Sequence, residues 1–537
     1  MAEIRLSGRP ASSGFAEGQL YVLPDKRVSR APTGDPDLEA KALRNAIILA
    51  SEALADLATT ADGDAADMLG FQVAMLEDDA LSEMAFAAIA EGKPADIAWR
   101  HSMDQEIEAY RSADDEYFRA RSADLEDIRD NVLDMLSGGT SAAPPPPGAI
   151  LIARDLQPSR FLGIDWSKGG AILLSEGSPT SHVAMLARAR GVPMIVGLGE
   201  LPRSADGIAL IDGGSGQAIL SPERQSLDQF ITRRAEDDNL SARAEKLLLK
   251  DAMTKTGEAV TILINVADPL ELDVISPDLC DGIGLVRTEF LFSEDGSFPD
   301  EEAQYRVYRR LVEWASGRPV TIRTLDAGGD KPIKNLTIDG ESNPFLGVRG
   351  IRLSLIRTDL FRIQLRALSR AASHGPIKIM APMVTIPSEL ATVRRMMAEE
   401  FEGLKAKGIA AALPPIGIMV EVPAAALAMD LFDADFFSIG SNDLTQYVTA
   451  AGRDIGSVAD LADPRHPAVL RLIAMIATQG KKMQREVSLC GDAGGDPALI
   501  PLLLHAGIRC LSMAPSMVAR AKLIISETSL SGDVVTP

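Results

Sequence analysis

GGAILLSEGSPTSHVAMLARARGVPMIVG, from Gly169 to Gly197, changes its apolar period within one short stretch, and that change decides how the first half of the chain folds. Ala171 to Leu174 form a short apolar strand, a Ser/Gly/Pro/Thr turn follows, and a helix starts near Thr180 and buries Val183, Leu186 and Ala187. His182 then falls at the helix N-terminus. Unpaired backbone N–H groups and the positive end of the helix dipole meet there, so an anion carried on the imidazole would be stabilised. The position suits a phosphohistidine. A histidine in a polar turn that only caps its own helix is the other reading of this residue taken alone.

Around this stretch, strand-and-turn character runs from Ala149 to Leu220, and a short strand from Gln19 to Leu23 precedes it after a Gly/Ser/Pro-rich start. Between them, Asp37 to about Gly138 is rich in Ala, Leu, Glu, Asp and Arg at helical spacing, as in Leu38, Leu43, Ile47, Ile48 and Leu54. Pro144 to Pro147 followed by Gly148 is a rigid spacer that ends this helical block. If the first strand pairs with the later ones, residues 1–30 and 145–221 form a small α/β domain, with a helical subdomain of residues 31–144 inserted in it. Residues 222–254, rich in Arg, Glu, Leu and Lys, read as a linker helix.

The remaining residues, 255–537, repeat one pattern. Eight apolar segments alternate with helical stretches: Val260 to Val266, Gly282 to Val286, Val320 to Thr324, Lys378 to Met383, Gly417 to Val420, Phe436 to Ile439, Val487 to Leu489 and Cys510 to Met513. Eight βα repeats predict a TIM (β/α)8 barrel, so the fold class is multidomain α/β. Arg287, Arg323, Glu421, Asn442, Asp443 and Cys490 lie at or just past the ends of these segments, where they face the barrel mouth.

Composition narrows the function. At 537 residues the chain exceeds one ordinary core, and with 46% apolar residues and no long apolar run it reads as soluble and globular. No cationic segment leads into an apolar one at the start, and Cys280, Cys490 and Cys510 follow no metal-ligand spacing, which points to free thiols in the cytoplasm. A net charge of −22 opposes binding to nucleic acid or an anionic membrane and favours a basic protein partner. Glu77, Asp78, Asp79 and Glu83 cluster acidic groups that could steer one. A trianionic substrate bearing a phosphate and a carboxylate needs several guanidinium groups, and Arg287, Arg323 and Arg453 are available. Two carboxylates on separate strands, Glu421 and Asp443, can hold Mg²⁺, although each residue alone could equally make a rim salt bridge.

Thr180, Ser181, His182, Ala187, Arg188, Pro193 and Gly197 match the phosphohistidine motif of enzymes that take a phosphoryl group from phosphoenolpyruvate. GIGLVRTEFLF, TIRTLDAGGDK, NPFLGVRGIR, GIMVEVPAA, DFFSIGSNDLTQY and LCGDAGGD resemble the barrel of one such family, Enzyme I of the sugar phosphotransferase system. MLEDDAL (Met75 to Leu81) and Asp114 to Leu136 resemble its helical region, and the likeness covers nearly the whole chain. The resemblance implies that His182 carries the phosphoryl group to a histidine-containing phosphocarrier protein (HPr) bound by the helical subdomain. It also implies that Arg287, Arg323, Asn442, Asp443 and Arg453 contact phosphoenolpyruvate, that Glu421 and Asp443 ligate Mg²⁺, and that Cys490 protonates the enolate. A cytoplasmic homodimer through the barrel belongs to the same pattern. Leu174, Ser178 and Asp492 depart from the family's usual residues, and the end of the chain, SLSGDVVTP, stops about a helix earlier than in typical members. The alternatives are a catalytically weak regulatory homologue, or a dikinase- or synthase-like enzyme lacking its nucleotide domain.

Overall fold

The first half is built on β1 (Ile4–Ser7), β2 (Arg9–Ser12) and β3 (Phe15–Val22), followed by five helices, α1 (Pro36–Thr60), α2 (Asp64–Glu77), α3 (Asp79–Ala90), α4 (Ala95–Arg111) and α5 (Glu116–Leu136). Then come β4 (Ile150–Ala153), α6 (Pro158–Leu162), β5 (Ala171–Leu174), α7 (His182–Ala189), β6 (Met194–Val196), β7 (Ile208–Asp212), β8 (Gln217–Leu220) and α8 (Arg224–Glu245). This computed structural model describes the chain except residues 1–2, 24–30, 61–63, 112–115, 139–144, 180, 202–206, 293–297, 330–332, 339, 453–457, 459–460 and 531–537. The chain divides into two units, Met1–Glu236 and Asp237–Pro537.

In the first unit one sheet runs in the order β1-β8-β7-β3-β4-β5-β6-β2. Its centre, β3 to β6, is parallel, and the flanking strands are antiparallel. Every residue of β4 and β5 is buried, as expected of parallel strands covered on both faces. Strand alternation sorts them: Leu151, Ile172 and Leu174 join the core shared with the helices, whereas Ile150, Ile152, Ala171 and Leu173 face the other way. The helical block is an insertion between two adjacent strands, β3 and β4. Two strands, β1 and β2, go beyond the sequence expectation. Gly8 and Pro10 interrupt their apolar pattern, and both make only edge pairings, with β8 and β6.

The second unit closes β9 (Thr261–Val266), β10 (Ile283–Val286), β11 (Val320–Arg323), β12 (Ile377–Ala381), β13 (Ile416–Val420), β14 (Phe436–Gly440), β15 (Glu486–Cys490) and β16 (Cys510–Met513) into an all-parallel barrel. All eight expected strands are present. Around them lie α9 (Glu301–Ala315), α10 (Ile351–Ile356), α11 (Thr358–Ala371), α12 (Pro387–Ala406), α13 (Pro423–Leu427), α14 (Ser441–Thr449), α15 (Pro467–Met483), α16 (Ile500–His505) and α17 (Val518–Glu527). One connection departs from the repeat. After β9 the chain makes two 3₁₀ turns, Pro269–Asp273 and Pro277–Leu279, each opened by a proline and capped by Asp268 or Ser276. After β11 the chain runs through residues 324–350 before α10, and Leu325, Ala327, Leu336 and Leu353 give this long connection a small core of its own. Among the described residues no helix is long and apolar enough to cross a membrane.

Candidate active site

His182 is the first residue of α7, two positions later than the expected helix start; Thr180 lies outside the described residues. The cap is Ser181, whose hydroxyl accepts from the N–H of Ala184 at 3.3 Å. The serine therefore takes the capping role, and the half-buried imidazole is left without a hydrogen bond among the described residues. Arg188, one helical face further on, donates to the carbonyls of Ala11 at 2.7 Å and Pro179 at 2.8 Å. It ties α7 to β2 and to the turn that presents His182.

The other site residues gather at the C-terminal ends of the barrel strands in the second unit. Arg323 ends β11, Glu421 follows β13, Asn442 and Asp443 open α14 after β14, Cys490 ends β15, and Arg287 follows β10. Arg453 lies outside the described residues. Three further charged groups complete the arrangement. Arg349 is wholly buried, bonds Asp326 at 3.0 Å and reaches Asp443 at 3.3 Å. Arg323 meets both oxygens of Glu289 at 3.1 Å and Asp326 at 3.1 Å. Burial works against the charge on both arginines, but Glu289 and Asp326 for Arg323, and Asp326 and Asp443 for Arg349, more than offset it and raise their pKa values. Glu289, Asp326 and Arg349 all sit inside the segments that carried the family likeness. Nothing in their spacing marks them, because only the closed barrel brings the loops after β10 and β11 together.

Glu421 is the most constrained carboxylate. Its Oε1 accepts from the backbone N–H of Met383 at 2.6 Å, and Met383 holds a left-handed φ of 58° to deliver it. The other oxygen, Oε2, is buried with no hydrogen-bond partner, and so is Nε of Arg323. Burial, then the charges of Asp443 and Asp326, raise the Glu421 pKa. A buried orphan acceptor among three carboxylates fits a cation in that place. Gly440 makes room for it, since a Cβ there would lie 2.8 Å from Oε2. Among the described residues no group of three or more His, Cys, Asp or Glu side chains is assembled around one point as a complete metal cage.

Cys490 packs with Leu285, Met380, Met419 and Phe436 in a cluster separate from the main core. Burial pushes its thiol up to about 11, while the Ser438 hydroxyl, 3.5 Å away and donating to the sulfur, works in the opposite direction. The thiol is therefore protonated at neutral pH. The next turn is tight: Gly491 has φ 95°, and a Cβ would meet the Ser441 hydroxyl at 2.4 Å. Asn442 bonds Asp492 twice across it, its amide donating to the carboxylate at 3.0 Å and its carbonyl accepting from the backbone at 3.1 Å. Arg287 is half-buried with no side-chain partner among the described residues.

Three family models match the chain: PEP-utilising enzyme, N-terminal, over residues 7–121; PEP-utilising enzyme, mobile domain, over 145–216; and PEP-utilising enzyme, PEP-binding domain, over 241–530. A phosphoenolpyruvate-protein phosphotransferase of Listeria innocua is 34% identical over 98% of this chain and 94% of its own length. That of Geobacillus stearothermophilus is 35% identical over 97% and 93%, respectively. A multiphosphoryl transfer protein of Xanthomonas campestris is 38% identical over 86% of this chain and 55% of its own.

Proposed function

The chain belongs to the phosphoenolpyruvate-utilising enzymes, within the phosphoenolpyruvate-protein phosphotransferase family, and on that premise we propose how its residues divide the reaction. It takes the phosphoryl group of phosphoenolpyruvate onto His182 and passes it to a histidine of a small phosphocarrier protein, the first step of a phosphotransferase relay. The observation that carries this reading is the pair of buried orphans at the barrel mouth, a guanidinium donor on Arg323 and a carboxylate acceptor on Glu421, beside a protonated thiol. Arg323, Arg287, Asn442 and Arg453 bind the phosphate and carboxylate of the substrate. Glu421 and Asp443 would hold Mg²⁺, which when bound would supply positive charge against the phosphate oxygens of the substrate.

The imidazole nitrogen of His182 attacks phosphorus in line. As that N–P bond forms, the bond from phosphorus to the enol oxygen breaks, and pyruvate enolate leaves. Cys490 gives its thiol proton to the methylene carbon of the enolate, yielding pyruvate, and recovers a proton from water. The phosphoryl group on His182 then moves to the carrier. Exposed acidic groups at Glu77, Asp79 and Glu83 on α2 and α3 would steer a basic carrier, while Asp78 also caps α3 through the Ala80 N–H at 2.9 Å. The cytoplasm suits the three unpaired thiols. Dimerisation through the barrel is part of the same reading, with Leu427 and Leu431, 69% and 64% exposed, as apolar groups a second copy would cover.

The test is to incubate the protein with Mg²⁺ and ³²P-labelled phosphoenolpyruvate. An acid-labile, base-stable phosphoprotein should form, and His182→Ala should accept no label while still binding phosphoenolpyruvate. Label retained on that variant would overturn the assignment.

A further inference from the structure

We propose that the first unit carries a second anion site, a crevice for a small phosphate-bearing polyanion at the end of the sheet opposite His182. The crevice has a volume of about 270 Å³ and is lined by Lys168, Arg190 and Arg234, with Trp166 as a wall and Glu17 as its one acid. The cations come from three places: the loop before β5, the residue that follows α7, and the middle of α8. None of them makes an ion pair within 4 Å among the described residues; Lys168 lowers the pKa of the neighbouring Asp165 carboxyl, which does not line the crevice. Elsewhere in this unit Arg111, Arg129, Arg154 and Arg233 each face a carboxylate, and Arg188 is held by two carbonyls.

Three like charges converging on one crevice repel one another, and in a chain of net charge −22 there is no shortage of carboxylates to pair them. An anion entering the crevice relieves that repulsion and gains from the local field. The walls are already formed. Trp166 stacks on Phe161 at 5.2 Å and donates its indole N–H to the Phe161 carbonyl at 2.9 Å, while Arg190 lies over the same Phe161 ring at 5.9 Å. The rim is bare backbone. Gly169 and Gly191 have φ of 82° and 64° and nothing within 4 Å of where a Cβ would stand, so both serve conformation rather than packing.

The crevice is separate from the phosphoryl-accepting site. It opens before the first residue of β5, whereas His182 follows the turn beyond its last. Along α7, His182 and Arg190 are separated by roughly 12 Å of helix. The volume lies below the range of pockets for drug-sized ligands, which favours a compact ligand such as pyrophosphate or a phosphorylated three-carbon acid. Guanidinium forks and an ammonium group match phosphate oxygens in number and geometry. A ligand held by all three cations would tie the middle of α8 to the sheet, adding to the Phe15 and Phe230 ring contact at 5.5 Å.

Calorimetric titration of the full chain with inorganic pyrophosphate, without divalent metal, tests the site, with citrate as a polyanion lacking phosphate. The parent should bind one pyrophosphate more per chain than the triple variant Lys168→Gln, Arg190→Gln, Arg234→Gln, and its tryptophan fluorescence should change in a way that Trp166→Phe abolishes. The charge-conserving triple Lys168→Arg, Arg190→Lys, Arg234→Lys should keep the extra site. Equal stoichiometry in parent and glutamine variant, no saturable binding, or loss of the site in the charge-conserving variant would overturn the proposal. Citrate binding as tightly as pyrophosphate would overturn the phosphate class. Because the comparison counts sites rather than turnover, it can fail while the barrel-mouth chemistry stands.

Discussion

At the scale of single residues, the barrel mouth is held by charges that cannot be removed one at a time. Arg349 is wholly buried between Asp326 and Asp443. Its replacement by methionine takes the ion pair from Asp443 and leaves Asp326 with Arg323, and should destabilise the barrel by about 3–5 kcal/mol, read from chemical unfolding. Gly440→Ala places a methyl 2.8 Å from Glu421 Oε2 and 3.0 Å from Met419 Cγ. The fold should survive, but pyruvate production should drop at least about tenfold, because displacing that oxygen disturbs the proposed metal ligand. Circular dichroism with a pyruvate assay separates the two effects. Cys490→Ala should slow pyruvate formation by about 10²–10⁴ and leave phosphoryl exchange between His182 and the carrier intact. Loss of both activities would assign the thiol a packing role instead. Ser438→Ala removes the hydroxyl that donates to the sulfur, so the alkylation profile of Cys490 should move to higher pH.

Among the elements, the junction between α5 and α6 carries a contact that responds to pH. Asp127 on α5 accepts from the Ser159 N–H at 3.0 Å and its hydroxyl at 2.5 Å, which satisfies the start of α6, and from Gln72 on α2 at 3.3 Å. Burial raises this carboxyl to about 6, outweighing those hydrogen bonds. Between about pH 4 and 6 the folded unit therefore holds a proton that the unfolded chain has released. This group's contribution to stability falls as pH rises through that window, by up to about 3 kcal/mol, and is constant above it. Asp127→Asn should remove the slope while costing about 1–3 kcal/mol through lost acceptors. Thermal unfolding followed at several pH values between 4 and 7 reads both, and an unchanged slope would place the titration elsewhere.

For the whole molecule, the division into two units separates the proposed nucleophile from the proposed substrate site. His182 and the helical block belong to Met1–Glu236, whereas the arginines, the carboxylates and Cys490 belong to Asp237–Pro537. One imidazole nitrogen cannot face the substrate and the carrier at once, so each transfer requires its own approach. A fragment of residues 1 to about 250 should accept a phosphoryl group from phosphorylated carrier but not from phosphoenolpyruvate, as a gel assay with each donor would show. Labelling by phosphoenolpyruvate alone would mean that the donor site is not in the barrel.

Much of this is legible in the residue order itself. Period-2 and period-3.6 patterns in an apolar chain are local properties, so the eight barrel strands, the helical insertion and the placement of His182 at a helix start follow from residue order alone. Strand ends were readable for the same reason, which brought Arg323, Glu421, Asp443 and Cys490 to one rim. β1 and β2 were not readable, because edge strands broken by Gly8 and Pro10 carry too little apolar alternation. Partnership was hidden as well. That Arg349 spends its guanidinium on Asp326 and Asp443, that Met383 bends its backbone to serve Glu421, and that Lys168, Arg190 and Arg234 share a crevice depend on loops brought together by closing a barrel or layering a sheet. Local order selects which residues reach a site; burial and distance, which exist only in the folded chain, decide which charges are neutralised and which are left for a ligand.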